Sequence, residues 1–169
     1  MAETLIRAEL AAADLSRRVS VESAGTGDWH LGEPMDRGAR AELARRGYDG
    51  LAHRARQIGP TWLDRFDMLI AMDSANLRAV ERMAADRPRL AGRIRLLRSF
   101  DPAAPPGAEV PDPYGGGPDE FSVGFEMIHA AARGLVAGLA AMLAEHAAEP
   151  PPGMTDPHAR AGTDRPGGD

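Results

Sequence analysis

The sequence predicts an α/β fold, a parallel sheet flanked by helices. Three observations lead there. Segments of helical period alternate with short strand-like runs, in the order helix, strand, helix, strand, helix, strand, helix. One run, Phe66-Asp67-Met68-Leu69-Ile70-Ala71-Met72, is apolar except for Asp67, which suits a strand buried on both faces of a parallel sheet. The chain has 169 residues, 43% hydrophobic and 27% charged, enough for one globular domain with a real core.

Taken in order, Ala2 to Ala13 reads as a helix with Leu5, Ile6 and Leu10 on one face. Arg18 to Ser23 alternates about Val19 and Val21 and reads as a short strand. A loop of small residues follows and carries one Trp, Trp29. A Trp in a loop is either a lid on the core or the wall of a ligand site. Pro34 and Asp36 open a helix through Arg46, and Gly47 closes it. Pro60 to Leu63 is a helical turn, and the apolar run from Phe66 to Met72 is the second strand. Asp73-Ser74-Ala75-Asn76 caps the next helix, which ends before Pro88. Asp73 also lies at the carboxyl end of a central strand, where α/β sheets place their sites. Ile94 to Arg98 is the third strand. Pro118 to His146 is the longest helix, with Phe121, Phe125, Ile128, Leu135, Leu139 and Leu143 in one stripe. His129 and His146 are expected to be solvated on that helix. One domain therefore spans residues 1–148, and 149–169, rich in Pro and Gly, reads as a disordered tail.

Composition excludes several classes. There is no Cys, so disulfides, thiolate metal sites and a cysteine nucleophile within this chain are ruled out. The five His residues show no ligand spacing, and neither a metal nor a cofactor is expected. A net charge of -5 with no dense basic cluster argues against nucleic acid as a partner. No apolar run is expected to approach the ~20 residues of a membrane span, and no signal-peptide pattern is read. The sequence reads as cytoplasmic, with no membrane partner.

The least ordinary stretch is Glu109-Val110-Pro111-Asp112-Pro113-Tyr114-Gly115-Gly116-Gly117. Each proline fixes its own φ and pushes the residue before it towards an extended conformation. Asp112 is thus displayed from a stiff segment beside an aromatic ring. One reading is a turn that opens the helix at Pro118. The other is a general acid for an aryl leaving group. His53 likewise admits two readings, a hydrogen-bonded structural residue or a catalyst.

Five motifs in register resolve these choices by resemblance. Ser23-Ala24-Gly25-Thr26-Gly27-Asp28-Trp29-His30-Leu31-Gly32, His53-Arg54-Ala55-Arg56-Gln57-Ile58, Ala71-Met72-Asp73-Ser74-Ala75-Asn76-Leu77, Ser99-Phe100-Asp101-Pro102 and Asp112-Pro113-Tyr114-Gly115 resemble the low-molecular-weight protein-tyrosine phosphatases, over residues 1–146. The resemblance implies a four-stranded parallel sheet and hydrolysis of a phosphotyrosine monoester through phosphocysteine, without metal. It implies that Asp112 protonates the leaving phenol and then activates water. It makes Trp29 and Tyr114 the walls of the ring slot, Ser23 and His53 braces of the phosphate loop, and Asp73 and Asn76 a cap near the site. Its partner is a tyrosine-phosphorylated protein.

This chain departs from the pattern in two places. Gly115 stands where the family often has a second Tyr. Met1-Ala2-Glu3 resembles the segment after the family's Cys-x5-Arg-Ser/Thr-Pro loop, so the loop and the first, central strand are expected upstream of Met1. Three strands are then expected here, with an open gap or a shifted strand beside Phe66 to Met72. The 169-residue chain itself is expected to be inactive. A non-catalytic binding protein of the same fold and an arsenate-reductase-like branch are the alternatives.

Overall fold

Local signals set the helices, and the computed structural model describes them over residues 1–148. The tail expected at 149–169 lies outside the described residues. α1, Ala2–Ala12, buries Leu5, Ile6 and Leu10 as its period requires. It stops where Asp14 takes φ 57, a left-handed conformation that Asp tolerates better than most residues. That reversal lets the Leu15 amide donate to the Leu10 carbonyl at 2.8 Å and buries Leu15. α2, Arg37–Arg45, begins at Asp36, whose carboxylate accepts from the Gly38 and Ala39 amides. Gly47, at φ 83, ends it. α3, Pro60–Leu63, is a single turn.

β1, Leu69–Ala71, and β2, Ile94–Leu96, form a parallel pair in the register Leu69 with Ile94, Ile70 with Arg95, and Ala71 with Leu96. α4, Ser74–Met83, crosses between them. α5, Pro118–Ala148, runs the length of the core. The main cluster gathers α1, α2 and α5 around Leu5, Leu43, Leu97 and Phe125. A smaller cluster under α3 and α4 holds Leu63, Leu69, Val80 and Leu90. Leu69 therefore points into one cluster, while Met68, Ile70 and Met72 pack against the other. Helices cover both faces of the sheet, as the apolar run predicts.

Three expectations change. Arg18 to Ser23 forms no ladder: after a turn ending at Arg18, residues 19–24 run without strand pairing. Val19 and Val21 still pack on the main cluster, so the apolar alternation records burial against helices rather than sheet pairing. Among the described residues the sheet has two strands, and no named strand pairs with the other edge of β1. The third strand stops at Leu96 because residues Leu97–Phe100 turn into a 3-10 helix that buries Leu97 fully. That turn brings the Phe100 carbonyl so close to α5 that a Cβ on Gly134 would sit 1.8 Å from its oxygen. Only glycine fits there. Finally, His129 is not solvated: its Nε2 lies 3.0 Å from Glu9 Oε1, and its ring packs against Phe125 and Tyr48. His146 is exposed, as expected, with Nδ1 at 2.9 Å from the Met142 carbonyl.

The expected apolar stripe forms on α5: Phe121, Phe125, Ile128 and Leu135 are buried, and Leu139 and Leu143 are partly so. By length and composition alone α5 would also be apolar enough to cross a membrane. Its packed stripe and Ala-rich composition account for that character as a core helix.

Candidate active site

The Asp112 loop is fastened to the carboxyl end of β1. The Val110 amide donates to the Met72 carbonyl at 2.8 Å, and Val110 is buried. The Glu109 carboxylate accepts from the Ser74 amide at 3.1 Å, at the start of α4. Beyond these anchors the chain turns. Asp112 Oδ1 accepts from the Tyr114 amide at 3.1 Å, the Gly116 amide donates to the Pro113 carbonyl at 2.8 Å, and Gly115 takes φ 77. The turn reading of this stretch is thus correct as local structure. It also leaves the Asp112 side chain exposed, with its backbone held.

Two exposed rings belong to this loop and to the loop before α2. Tyr114 is 69% exposed and Trp29 is 81% exposed, the largest exposures among the large apolar side chains described. The Trp29 indole lies across Gly27, where a Cβ would come within 1.6 Å of the ring. Trp29 is therefore not a lid on the core. His30 joins the two loops: its ring is 5.8 Å from that of Tyr114, and its Nδ1 is 2.8 Å from Glu33 Oε2. Sequence reasoning missed His30, since one imidazole in a loop has no pattern. Its place directly after Trp29 was the only signal.

Ser23 and His53 are brought together by a residue that sequence reasoning also missed, Glu3. The Ser23 hydroxyl donates to Glu3 Oε2 at 2.5 Å. His53 Nδ1 lies 3.9 Å from the same oxygen and an Arg56 nitrogen 3.6 Å from it, while Arg7 holds Oε1 at 2.9 Å. Burial by itself would raise the Glu3 carboxyl. The Ser23 and Arg7 hydrogen bonds and the charges of Arg7 and Arg56 outweigh it, and the net shift is downward. His53 is pushed down, first by burial, then by the N-terminal amino group, with Glu3 opposing. The signal for Glu3 was an acid in the first turn of a helix with an Arg four residues on.

Asp73 is the cap it was expected to be. It accepts from the Asn76 amide at 2.7 Å and from the Asn76 side chain at 2.6 Å. Asn76 Oδ1 in turn accepts from the Thr26 hydroxyl at 3.4 Å. This chain of bonds connects the loop before Trp29 to the helix start that anchors Glu109. Five of the seven expected site residues lie on loops, in two groups: Ser23 and His53 about Glu3, and Asp112, Tyr114 and Trp29 on the outer loops, while Asp73 and Asn76 form the cap and first turn of α4. Among the described residues no group of His, Cys, Asp and Glu is arranged to hold a metal ion.

A parallel strand pair covered by helices on both faces, with loops fastened to the carboxyl end of β1, defines an α/β protein whose candidate site lies at that end. The chain belongs to the low molecular weight phosphotyrosine protein phosphatase family, whose sequence profile matches residues 1–146. It is 47% identical over 140 residues to a low molecular weight protein-tyrosine-phosphatase of Streptomyces coelicolor, a match covering 82% of this chain and 84% of that one. A human low molecular weight phosphotyrosine protein phosphatase is 29% identical over 126 residues, covering 75% of this chain and 78% of the human one. Among solved structures, a protein tyrosine phosphatase from Entamoeba histolytica with Hepes in its active site superposes with a TM-score of 0.77 at 25% identity, covering 84% of this chain and 88% of that one. YfkJ from Bacillus subtilis superposes with a TM-score of 0.74 at 30% identity, covering 83% and 86%.

Proposed function

We propose that these residues form the acid and recognition side of a phosphotyrosine phosphatase, and that the 169-residue chain does not itself turn over. The observation that supports this most is the anchoring of Asp112: its loop is bonded to the end of β1, yet its carboxylate faces solvent, held only by the Tyr114 amide of its own turn. A carboxylic acid so placed can give its proton to a departing phenolate oxygen and then take one from the water that releases the phosphoryl group. Trp29 and Tyr114 would flank the phenol. Ser23 and His53, through Glu3, would brace the loop that carries the phosphate. Asp73 and Asn76 would hold the floor between them. The nucleophile of the reaction is a cysteine, and this chain has none. Turnover then belongs to a longer form that carries a Cys-x5-Arg loop, acting in the cytoplasm on tyrosine-phosphorylated protein, with no nucleic acid, membrane or cofactor involved.

The absence of cysteine also favours a second reading, a non-catalytic binding protein of the same fold. It weighs equally against the arsenate-reductase-like branch, which needs cysteines. Two measurements separate the readings. The purified 169-residue chain is expected to leave an aryl phosphate near pH 6 intact, and turnover that disappears in Asp112→Ala would overturn this. Reading the coding DNA upstream in frame should show an apolar strand followed by Cys-x5-Arg. A stop codon there would favour the binding protein.

A further inference from the structure

Six large apolar side chains are exposed among the described residues, and four of them stand on turns between the named helices and strands: Trp29 at 81%, Leu31 at 58%, Leu51 at 62% and Tyr114 at 69%. The other two, Val123 and Met142, stand apart on α5. Trp29 and Tyr114 belong to the ring slot proposed above. Leu31 and Leu51 do not, and nothing in the reaction requires them.

The segments that carry these two leucines are joined. The Gly32 amide donates to the Ala55 carbonyl at 2.9 Å, and the Ala55 amide returns a bond to the Glu33 carbonyl at 2.9 Å. Pro34 and Arg54 form an antiparallel bridge, and Gly25 bridges Gln57. Leu51 is set by its own turn, its amide donating to Asp49 Oδ1 at 2.8 Å. A mobile loop could fold such leucines under. These loops are tied, so the aliphatic side chains are held out in water at a free-energy cost.

Charge indicates what covers them. Arg54 is exposed beside Leu51, its guanidinium donating to the Leu51 and His53 carbonyls at 2.9 and 2.7 Å. Among the described residues it forms no ion pair with any carboxylate, whereas Arg56 and Arg65 share Glu22 and Arg7 holds Glu3. A rigid aliphatic ledge with a cation at its edge is complementary to an aliphatic side chain with a neighbouring carboxylate. The ledge begins two residues from Trp29, so a segment lying on it is continuous with the ring in the slot.

We propose that Leu31, Leu51 and Arg54 form a docking ledge for the segment flanking the phosphotyrosine, and that it selects peptides with a large aliphatic residue and an acidic residue beside the modified tyrosine. The proposal rests on the phosphatase reading for the identity of the central residue, but the ledge acts by binding alone and is testable in this chain.

The experiment is a titration of the 169-residue chain, with its leucine methyls isotope-labelled, by a phosphotyrosine peptide carrying Leu and Asp on one flank. The Leu31 and Leu51 methyl resonances are expected to move. Replacing that Leu by Ala in the peptide, or Leu51→Asp in the chain, should weaken binding about tenfold, the effect of about 1.4 kcal/mol. Leu51→Met should retain it, and Arg54→Gln should abolish the preference for Asp over Lys in the peptide. Because Leu51 is exposed, an unchanged urea unfolding midpoint will show that the variants keep the fold. Binding that ignores Leu51→Asp, methyls that stay still, or no binding at millimolar peptide each overturns the ledge. Concentration-dependent dimerisation that moves the same methyls without peptide would give the surface to a second copy and also overturn it. If the unphosphorylated peptide binds this chain equally well, the ledge stands; equal binding of the two peptides by a form that carries the Cys-x5-Arg loop would instead sink the phosphotyrosine reading.

Discussion

The two groups around the site are built in opposite ways. In the Glu3 group a half-buried carboxylate is hydrogen-bonded by Ser23 and Arg7 and lies within ion-pair distance of His53 and Arg56. The Asp112 loop is exposed, bonded at its anchors Val110 and Glu109, and free at its tip apart from its own turn. The contrast follows from the work each would do. A brace must keep one geometry, so its charges are satisfied inside the protein. An acid must meet a proton acceptor that arrives from solvent, so its carboxylate is left without internal partners beyond the turn. Substitutions in the brace should therefore register in stability, and substitutions in the loop in turnover.

The largest effect tests the loop. In a longer form carrying the Cys-x5-Arg loop, Asp112→Asn should lower the rate by about 10²–10⁴-fold for a poor leaving group. The loss should be much smaller for an already acidic phenol. Equal losses for both substrates would remove Asp112 from the acid role. In the same variant, unfolding free energy should stay within about 0.5 kcal/mol, because the amide oxygen of Asn can still accept the Tyr114 amide.

The brace comes next. Glu3→Ala removes the acceptor of Ser23 and leaves Arg7 and Arg56 without their shared carboxylate. Urea denaturation should show a loss of about 2–3 kcal/mol. A loss no larger than that of Asp112→Asn would dissolve the contrast between the two groups.

A smaller effect is the pH dependence of the brace. His53 is held below its ordinary value of 6.5 in the folded state. The unfolded chain then takes up a proton that the folded chain resists, and stability falls as pH drops below 6.5. Glu3 is held below its ordinary 4.5, so its contribution is present above that pH and is lost as the medium becomes more acid. Thermal midpoints measured from pH 7 to pH 4 should decline, and His53→Gln should flatten the upper part of that decline. An unchanged slope in that variant would assign the decline to other groups.

Least of all should come from Gly27→Ala. The new methyl would displace the Trp29 indole, which is 81% exposed and free to swing. Stability should change by about 0.5 kcal/mol or less, while Trp29 emission shifts. In an active longer form, Trp29→Ala should weaken phosphotyrosine peptides more than phosphoserine peptides. A parallel loss for both would make Trp29 packing rather than recognition.

Much of this was legible in the residues. Asp36, Gly47 and Asp73 mark helix ends by bonds that span two or three residues, and each does so in the structure. Asp112, Trp29 and Tyr114 stand out as candidates because their flanking prolines, glycines and motif order are written in sequence. Glu3 and His30 do not, because each is an ordinary residue in an ordinary place until a distant loop meets it.

By itself the sequence determined the helices, their caps, the apolar run of β1 and the stripe of α5, because each depends on periodicity and on contacts within one or two turns. Tertiary structure alone decided that Val19 and Val21 would pack without a ladder, that His129 would pair with Glu9 from 120 residues away, and that Glu3 would gather Ser23 across 20. Alternation says that a side chain is buried but not what lies beside the backbone. An ion pair between distant segments depends on how helices pack, and no local spacing carries that information.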